Sequence, residues 1–283
     1  MKVETIGVIG LGFVGTAVEK GFESTHNVVT YDIEKSCSET YLLDVVKKSQ
    51  VTFICVPTPM NSDGTCNTTI VESILDEINS ATTTLNARPI CVLKSTVPPG
   101  TTTRLAELFP NITLTFNPEF LTEKNYINDF LSQVNIILGY VNTFSEIRPV
   151  IDLYSERFPN ANVSLVKSNE AEMIKYVANT FLATKVAYLN EIWQICEKVG
   201  INYNHISGIL KEDTRLGHTH WQVPGHDGHF GFGGTCFPKD INALIQYANQ
   251  KGQDTPLLNA IWQKNLEVRP ERDWELDKGR AVI

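Results

Sequence analysis

The sequence predicts an α/β protein: an N-terminal Rossmann-like, doubly wound parallel sheet, a long connecting helix and a small α-helical second domain. Short apolar runs alternate with amphipathic stretches as far as residue 168, which is the rhythm of βαβ units. A stretch of about thirty residues without proline or internal glycine follows. The remainder predicts helices around a glycine- and histidine-rich loop, 216–235. We expect domains at 1–168, 169–200 and 201–283.

Seven apolar runs in the first domain are strand candidates: TIGVIG, NVVTYDI, VTFICV, PICVLKS, ITLTFN, VNIILGYV and NVSLVKS. Their near-continuous apolar character is typical of strands that crossover helices bury on both faces. The helices expected between them lie near 13–24, 37–48, 68–81, 101–109 and 144–157. The order of these elements predicts a mostly parallel sheet.

The stretch 169–200 predicts one helix, roughly 45 Å long at 1.5 Å per residue. Asn169 and Glu172 form a plausible capping pair at its start, and Gly200 would end it. An apolar stripe follows one face: Ile174, Val177, Phe181, Tyr188, Ile192, Ile195 and Val199. A helix of this length usually carries a second domain or a partner subunit.

Composition limits the classes of partner. A formal charge of −8 and a pI near 5.3 disfavour a general binder of nucleic acid or membrane surfaces, since both are anionic. No run of eighteen apolar residues predicts a membrane span, and the apolar start, with Glu4 before it and glycines within it, is not expected to be a signal peptide. Six scattered cysteines without a CxxC pair favour reduced thiols and a cytoplasmic location.

The motif GLGFVG, residues 10–15, follows the first strand and opens the first helix, and Asp32 ends the second strand. Its glycines permit a tight turn and the approach of a pyrophosphate to the helix N-terminus. A carboxylate about twenty residues on would accept from a ribose 2′-hydroxyl and repel a 2′-phosphate. This pattern predicts NAD rather than NADP. The alternative is that the glycines serve only strand-to-helix packing.

The segments VPTP (56–59) and KSTVPPG (94–100) follow predicted strands at the sheet edge where open α/β proteins bind ligands. There Thr58, Ser95 and Thr96 would offer hydroxyls beside the cofactor. A turn made rigid by proline is an equally ordinary use of such sequences.

Two pairs of polar residues have helical spacing. In FNPEFLTE, Glu119 and Glu123 would face the same way if a helical turn begins at Pro118, one as a general base and one positioning water. A helix N-terminal acid beside a solvated acid is the alternative. Lys175 and Asn179 could together hold an oxyanion, whereas a lysine on a long helix is more often solvated.

The stretch GFGGTCFPKD predicts a reactive cysteine near a helix start. Glycines 231, 233 and 234 would let the backbone approach a ligand, Pro238 suits the first helical position, and the helix dipole favours the Cys236 thiolate. Asp240 could accept a proton and Lys239 adds positive charge. A buried, inert cysteine is the alternative. The spacing of His218, His220, His226 and His229 does not match a zinc site, so no metal is expected.

Taken together, these residues resemble the UDP-glucose/GDP-mannose dehydrogenase family, most closely its UDP-glucose 6-dehydrogenases. From Val3 to about Asn265 the family's motifs occur in order: GLGFVG, VPTP, KSTVPPG, FNPEFLTE, IKYVANTFLA, EDTRLG and GFGGTCFPKD. The resemblance implies oxidation of a sugar primary alcohol to a carboxylate with two NAD in turn. In that reaction Cys236 forms a thiohemiacetal and then a thioester.

The resemblance also implies a role for each site residue. Lys175 and Asn179 would steady the oxyanion, Asp240 and Thr96 would handle a proton through water, and Glu119 would activate the hydrolytic water. The residues implied at the cofactor are Gly10, Gly12, Phe13, Val14, Gly15, Asp32, Pro57, Thr58, Thr96, Glu123 and Lys239. Those implied at the nucleotide sugar are Glu119, Phe120, Leu121, Lys175, Asn179, Arg215, Gly233 and Cys236. Arg215 would reach the substrate of a neighbouring subunit, and the long helix would form the core of a homodimer.

The sequence also departs from the family pattern. The family continues into a third, nucleotide-binding domain, whereas this sequence ends at RDWELDKGRAVI. Asn67 stands where the family commonly has aspartate, and SQVNIILG lacks an Asp-Arg pair. The alternatives are GDP-mannose or a UDP-N-acetylhexosamine as substrate, a 3-hydroxyacid dehydrogenase, and an inactive NAD-binding partner protein.

Overall fold

The computed structural model describes residues 3–85 and 88–283. They form two compact units: Met1–Thr58 with Thr68–Lys175, and Pro59–Asn67 with Tyr176–Ile283. The first unit carries the sheet, and the second is mainly helical. The domains expected at 1–168, 169–200 and 201–283 stay a prediction. The two units divide the chain at another place, within the long helix, and the segment 59–67 belongs to the second unit.

The first unit is built on a seven-stranded sheet in the order β2-β1-β3-β4-β5-β6-β7. Its strands are β1 Thr5–Ile9, β2 Asn27–Tyr31, β3 Val51–Ile54, β4 Ile90–Leu93, β5 Thr113–Phe116, β6 Asn135–Tyr140 and β7 Asn162–Lys167. Each matches one predicted apolar run. All neighbours are parallel except β5 and β6, and the strand order reverses at β1 and β3. The mostly parallel, doubly wound sheet is therefore confirmed.

The helices of this unit are α1 Phe13–Phe22, α2 Leu42–Lys48, α3 Thr69–Leu85, α4 Thr101–Leu108, α5 Tyr126–Leu131 and α6 Arg148–Arg157. All five predicted helices are present. The second begins at Leu42 rather than 37, because Ser38 and Thr30 exchange backbone-to-hydroxyl hydrogen bonds that hold the preceding turn. The sequence did not predict α5. Two apolar clusters pack around the sheet, one including Val8, Phe22 and Phe53 and the other including Ile54, Leu75 and Leu93.

The long helix is α7, Ser168–Val199, and Gly200 follows it with a left-handed φ of 72°. Both features match the prediction. The capping pair was wrong: the Lys167 N–H donates to Glu170 Oε2 at 2.8 Å, and the Glu172 carboxylate binds residues of α4 instead. Five residues of the predicted apolar stripe are exposed: Val177, Phe181, Tyr188, Ile195 and Val199.

The second unit contains the rest of α7, α8 Tyr203–Leu210, α9 Phe237–Gln250 and α10 Pro256–Val268. The backbone of Met60 pairs with Cys66 and with Val282, so the segment 59–67 and the final residues share a small ladder. The core includes Ala183, Phe232, Ile241 and Ile261. In the described residues no helix is long and apolar enough to cross a membrane. All six cysteines are thiols.

Candidate active site

The GLGFVG turn lies between the end of β1 and the start of α1, and the lack of a side chain matters for a different reason at each of its three glycines. Gly10 has a left-handed φ of 88°. A Cβ on Gly15 would lie 1.8 Å from the Gly10 carbonyl oxygen, so only glycine lets α1 approach the turn. A Cβ on Gly12, the N-cap of α1, would meet no atom within 4 Å. The α1 N-terminus therefore has room beside it for an anionic group such as a pyrophosphate.

Asp32 follows β2 and holds the same turn. Its Oδ2 accepts the Leu11 N–H at 2.6 Å, and its Oδ1 accepts the N–H groups of Glu34 and Lys35 at 2.8 and 3.0 Å. Burial opposes the charge, but these donors and the Lys35 ammonium lower the pKa of Asp32 below its usual value. Lys35, which the sequence did not single out, donates its Nζ to the Leu11 carbonyl. The carboxylate is thus fixed and ionised where a ribose hydroxyl is expected.

The loops after β3 and β4 are tied to each other. Thr58 Oγ1 donates to the Thr96 carbonyl at 2.7 Å, and Ser95 Oγ donates to the Val56 carbonyl at 2.7 Å. The hydroxyl protons of Thr58 and Ser95 are therefore used inside the protein, which favours the alternative of rigid turns for these two residues. Pro57 lies beside Thr58 in the loop after β3, and Thr96, in the loop after β4, is buried.

Glu172 joins α7 to the loop that carries Thr96. The N-cap of α4 is Gly100, which has no side chain to cap the helix. Instead the buried Glu172 carboxylate accepts the N–H groups of Gly100 and Thr102 at 2.5 and 2.7 Å and the Thr102 hydroxyl at 2.6 Å. Burial raises the pKa of Glu172 to about 7 despite these donors. The carboxylate takes the place of a local cap.

Glu119 and Lys175 form a buried ion pair. Lys175 Nζ donates to Glu119 Oε1 at 2.9 Å and to its carbonyl at 2.6 Å, and the Leu121 N–H donates to Oε2 at 2.7 Å. Burial opposes the charge, but Lys175 and the Leu121 N–H lower the pKa of Glu119. The ammonium also lies 5.5 Å from the centre of the Phe120 ring. The structure thus brings together four predicted residues.

The helical turn at Pro118, on which a shared face for Glu119 and Glu123 depended, does not form. Residues 117–122 form an irregular loop, so Glu119 and Glu123 do not share a helical face. Glu119 points inward because Lys175 holds it, whereas Glu123 lies in an exposed turn before α5. At the start of α1, Phe13 packs against Tyr126 of α5, with ring centres 5.2 Å apart, and Val14 packs against the first apolar cluster.

Lys94 is a charged residue whose importance the sequence did not reveal. It is 3% exposed, and its Nζ donates to Asn117 Oδ1 at 2.7 Å and to the Asn117 carbonyl at 3.3 Å. Asn117 Oδ1 also accepts the Tyr154 hydroxyl at 2.5 Å. Burial lowers the pKa of Lys94 to about 8, although Glu119 favours the charge. These contacts fix the start of the loop that presents Glu119.

In the second unit, Cys236 is the N-cap residue of α9 and is half-buried. Pro238 is the second helical residue rather than the first. Thr235 Oγ1 lies 3.7 Å from the Cys236 sulfur. Burial would lower the pKa of Lys239, but the charges of Asp240 and Cys236 raise it well above its usual value. The Lys239 ammonium is therefore close enough to Cys236 for the two groups to interact electrostatically.

Asp240 joins Asn179 to this cysteine segment. The Asn179 Nδ2 donates to Asp240 Oδ2 at 2.6 Å, and Lys239 Nζ donates to Asp240 Oδ1. Both Asn179 and Asp240 are buried. Asn179 lies four residues after Lys175 on α7, which places the two on one face of the helix, as predicted.

Three other predicted residues of the second unit, Arg215, Gly231 and Gly233, lie against other residues of the protein. Arg215 is exposed, and its guanidinium pairs with Asp213 two residues before it. A Cβ on Gly231 would lie 2.4 Å from Asn265 Oδ1, and one on Gly233 would lie 2.4 Å from the Arg269 guanidinium. The absence of side chains at these two glycines is therefore already required by packing. Among the described residues no cluster of three acidic, histidine or cysteine side chains could hold a metal.

Comparison with known proteins identifies the family. The model of the UDP-glucose/GDP-mannose dehydrogenase family, NAD binding domain, matches residues 37–157, and that of the central domain matches residues 169–267. The UDP-glucose 6-dehydrogenase of Pseudomonas aeruginosa is 33% identical over 253 residues, which cover 84% of this chain and 54% of that relative. The chain belongs to the UDP-glucose/GDP-mannose dehydrogenase family.

Further relatives agree with this membership. UDP-glucose 6-dehydrogenase TuaD of Bacillus subtilis is 31% identical over 307 residues, covering 94% of this chain and 64% of that relative. The structure of a UDP-glucose dehydrogenase from the archaeon Pyrobaculum islandicum matches with a TM-score of 0.84 at 26% identity, covering 96% of this chain and 70% of that one. The chain thus spans about half to two thirds of the length of the two bacterial relatives.

Family membership confirms the α/β fold with a Rossmann-like domain and confirms NAD as the cofactor of that domain. The matched NAD-binding range begins at residue 37, so the roles of the GLGFVG turn and Asp32 depend on their own geometry. The match does not favour a 3-hydroxyacid dehydrogenase, because both family models describe nucleotide-sugar enzymes.

Proposed function

We propose that this protein catalyses the NAD-dependent, four-electron oxidation of a nucleotide sugar, with UDP-glucose as substrate and UDP-glucuronate as product. The observation that carries the proposal is the placement of Cys236 at the N-cap of α9 beside Lys239, in a chain of this family. A simple alcohol dehydrogenase has no use for a thiol favoured as thiolate. An enzyme that continues from aldehyde to acid needs a nucleophile that holds the intermediate.

The cofactor residues proposed are those of the GLGFVG turn, including Phe13 and Val14, together with Asp32, Pro57, Thr58, Thr96, Glu123 and Lys239. Their fit is supported by the open space at Gly12 and by the fixed carboxylate of Asp32. NAD, when bound, would supply the hydride acceptor for each of the two oxidations. The protein residues then have to hold the substrate carbon, move protons and form the covalent intermediate.

In the proposed mechanism the Cys236 sulfur adds to the aldehyde carbon of the half-oxidised sugar. A carbon–sulfur bond forms, and the carbonyl oxygen takes a proton to give a thiohemiacetal. After the second oxidation the intermediate is a thioester. Water adds to its carbonyl carbon, the carbon–sulfur bond breaks, and the thiolate leaves the carboxylate product. The stability of the thiolate beside Lys239 makes sulfur a good leaving group.

The other predicted site residues have complementary roles in this proposal. Lys175 and Asn179 donate hydrogen bonds to the oxygen on the reacting carbon, where negative charge develops at each addition. Asp240 and Thr96 exchange a proton with that oxygen through water. Glu119 stays ionised at neutral pH because Lys175 lowers its pKa, so it can orient and activate the hydrolytic water. Phe120, Leu121 and Gly233 would contact the sugar nucleotide.

The proposal is tested by the stoichiometry of NADH. Purified protein with UDP-glucose should form two NADH for each UDP-glucuronate, measured by absorbance at 340 nm and by chromatography of the product. Cys236→Ser should abolish acid formation, whereas the control Cys196→Ala, at a buried cysteine of α7, should keep it. One NADH per sugar, or full turnover in Cys236→Ser, would contradict the mechanism.

GDP-mannose and UDP-N-acetylhexosamines are tested as alternative substrates in the same assay. NADH binding without turnover of any sugar would support an inactive partner protein.

We also propose that the chain forms a homodimer through α7. Its exposed apolar residues lie at positions 177, 181, 188, 195 and 199, with spacings of four and seven that keep them on one stripe. Side chains such as Phe181, 66% exposed, would leave water if a second copy packed against this stripe. Arg215, exposed in the same unit, is then available to a substrate held by the partner. A reducing, cytoplasmic location suits the six thiols.

A further inference from the structure

The segment before Cys236 is held by residues distant in the sequence. The Gly231 N–H donates to Asn190 Oδ1 of α7 at 3.0 Å. The Phe232 N–H donates to Asn265 Oδ1 at 2.7 Å, and the Phe232 carbonyl accepts from Asn265 Nδ2 at 2.9 Å. Asn265 is fully buried in the last turn of α10. The side-chain amide of Asn265 therefore uses both its oxygen and its nitrogen to bind the backbone of Phe232, in the way that a neighbouring β-strand would pair with it.

Arg269, directly after α10, holds the next residues. It is 3% exposed, its Nε donates to Asp273 Oδ1 at 2.6 Å and its Nη2 donates to Asp227 Oδ2 at 2.8 Å. The second oxygen of Asp273 accepts the Gly234 N–H at 3.1 Å. Gly233 lies so close to the guanidinium that a Cβ there would be 2.5 Å from its Cζ. The planar fork of an arginine is needed to reach both carboxylates at once.

We propose that Asn265 and Arg269 are positioning residues for the Cys236 thiol. Asn265 fixes Phe232, and Arg269 with Asp273 fixes Gly233 and Gly234, which leaves one residue before the N-cap of α9. Through Asp227, the same arginine also holds the loop 224–230. Arg269 thereby links the cysteine segment to this loop. This inference rests on the proposed function, because it assigns the pair to the reactive thiol of that reaction.

The test measures the reactivity of Cys236 apart from turnover. Iodoacetamide labels the protein at pH values from 5 to 9, and mass spectrometry follows the tryptic peptide 216–239, which contains a single cysteine. The first variant, Arg269→Lys, keeps the positive charge but lacks the planar guanidinium that contacts two carboxylates. The second is Asn265→Asp. The third, Asp227→Asn, removes the charge of one of the two carboxylates that bind Arg269, at a partly exposed position. Arg272→Lys is the matched control, since Arg272 is exposed and pairs with Glu275.

We expect Arg269→Lys and Asn265→Asp to raise the pH midpoint of labelling and to slow labelling at pH 7 by about tenfold, because the thiolate loses its place at the helix N-terminus. Asp227→Asn should give an intermediate change, and Arg272→Lys none. With UDP-glucose, kcat of Arg269→Lys should fall about 10- to 100-fold, with less change in KM. Circular dichroism checks that each variant is folded.

Labelling rates and midpoints equal to those of the original protein in folded Arg269→Lys and Asn265→Asp would overturn the inference. So would faster labelling at an unchanged midpoint, which would mean that these residues only shield the sulfur. If the original protein oxidises no nucleotide sugar, the proposed function fails, but the labelling comparison still tests the positioning role. The two failures are therefore distinguishable.

Discussion

Replacement of Lys94 by methionine tests whether a buried ammonium limits the stability of the sheet unit. The two side chains have similar length, so methionine can fill the same space. The loss of the ammonium removes donors from Asn117, but Asn117 Oδ1 keeps the Tyr154 hydroxyl at 2.5 Å. The change therefore removes a buried charge and leaves no buried side-chain oxygen without a donor at this place.

The size of the effect follows from the pKa of Lys94. Burial lowers it from 10.5 to about 8, which corresponds to about 3 kcal/mol of disfavoured charge. Because the folded pKa is lower than the unfolded one, the folded state binds fewer protons between these values, and stability rises with pH across this window. Between pH 7 and 9 the gain from this group is about 1.3 kcal/mol. The Lys94→Met variant lacks that gain.

Urea unfolding, followed by far-ultraviolet circular dichroism at pH 7, 8 and 9, measures the difference between the two proteins. The advantage of Lys94→Met over the original protein should shrink by about 1.3 kcal/mol from pH 7 to pH 9. All four tryptophans lie in the second unit, so their fluorescence reports separately on the unit without Lys94. Lys124→Met, at an exposed lysine, should follow the original protein at every pH. A difference that stays constant over this range would refute the reasoning.

Two further predictions concern the cofactor turn and the proposed dimer. Gly12→Ala should melt like the original protein but bind NADH at least about tenfold more weakly by calorimetry, because its Cβ enters open space at the α1 N-terminus. Gly15→Ala should lose both stability and binding, because its Cβ meets the Gly10 carbonyl; equal melting of the two variants would contradict this. Phe181→Asp should yield monomers by sedimentation at concentrations where Leu257→Asp, at another exposed apolar residue, stays dimeric; a dimeric Phe181→Asp would exclude this face.

The fold was predictable because its signals are local. Strands buried on both faces are continuous apolar runs, and each of the seven could be read without knowing its neighbours. Helix α5 was not predicted, since six residues are too few for a helical periodicity to repeat. The start of α2 was predicted too early, because two hydroxyl groups from different segments hold the turn before it. Elements set by contacts between distant residues gave no comparable signal.

The candidate site divides in the same way. The residues that would touch the reaction, such as Cys236 and Lys175, stand in motifs whose local pattern predicts a helix start or a helix face. The residues that hold them do not. Glu172 caps a helix seventy residues earlier in the sequence, and Lys94 reads as an ordinary lysine after a strand.

The glycines before Cys236 show why this division misleads a reading of sequence. A run of glycines beside a reactive residue suggests space for a ligand, and that was the prediction for 231, 233 and 234. At Gly231 and Gly233 the space is filled by Asn265 and Arg269, more than thirty residues later in the chain. Gly234 differs from these two glycines. Its left-handed φ of 67° requires glycine, but a Cβ there would meet no atom within 4 Å, so the space beside it is open. Ligand access and internal support therefore produce the same sequence pattern, and only the contacts of each glycine separate them.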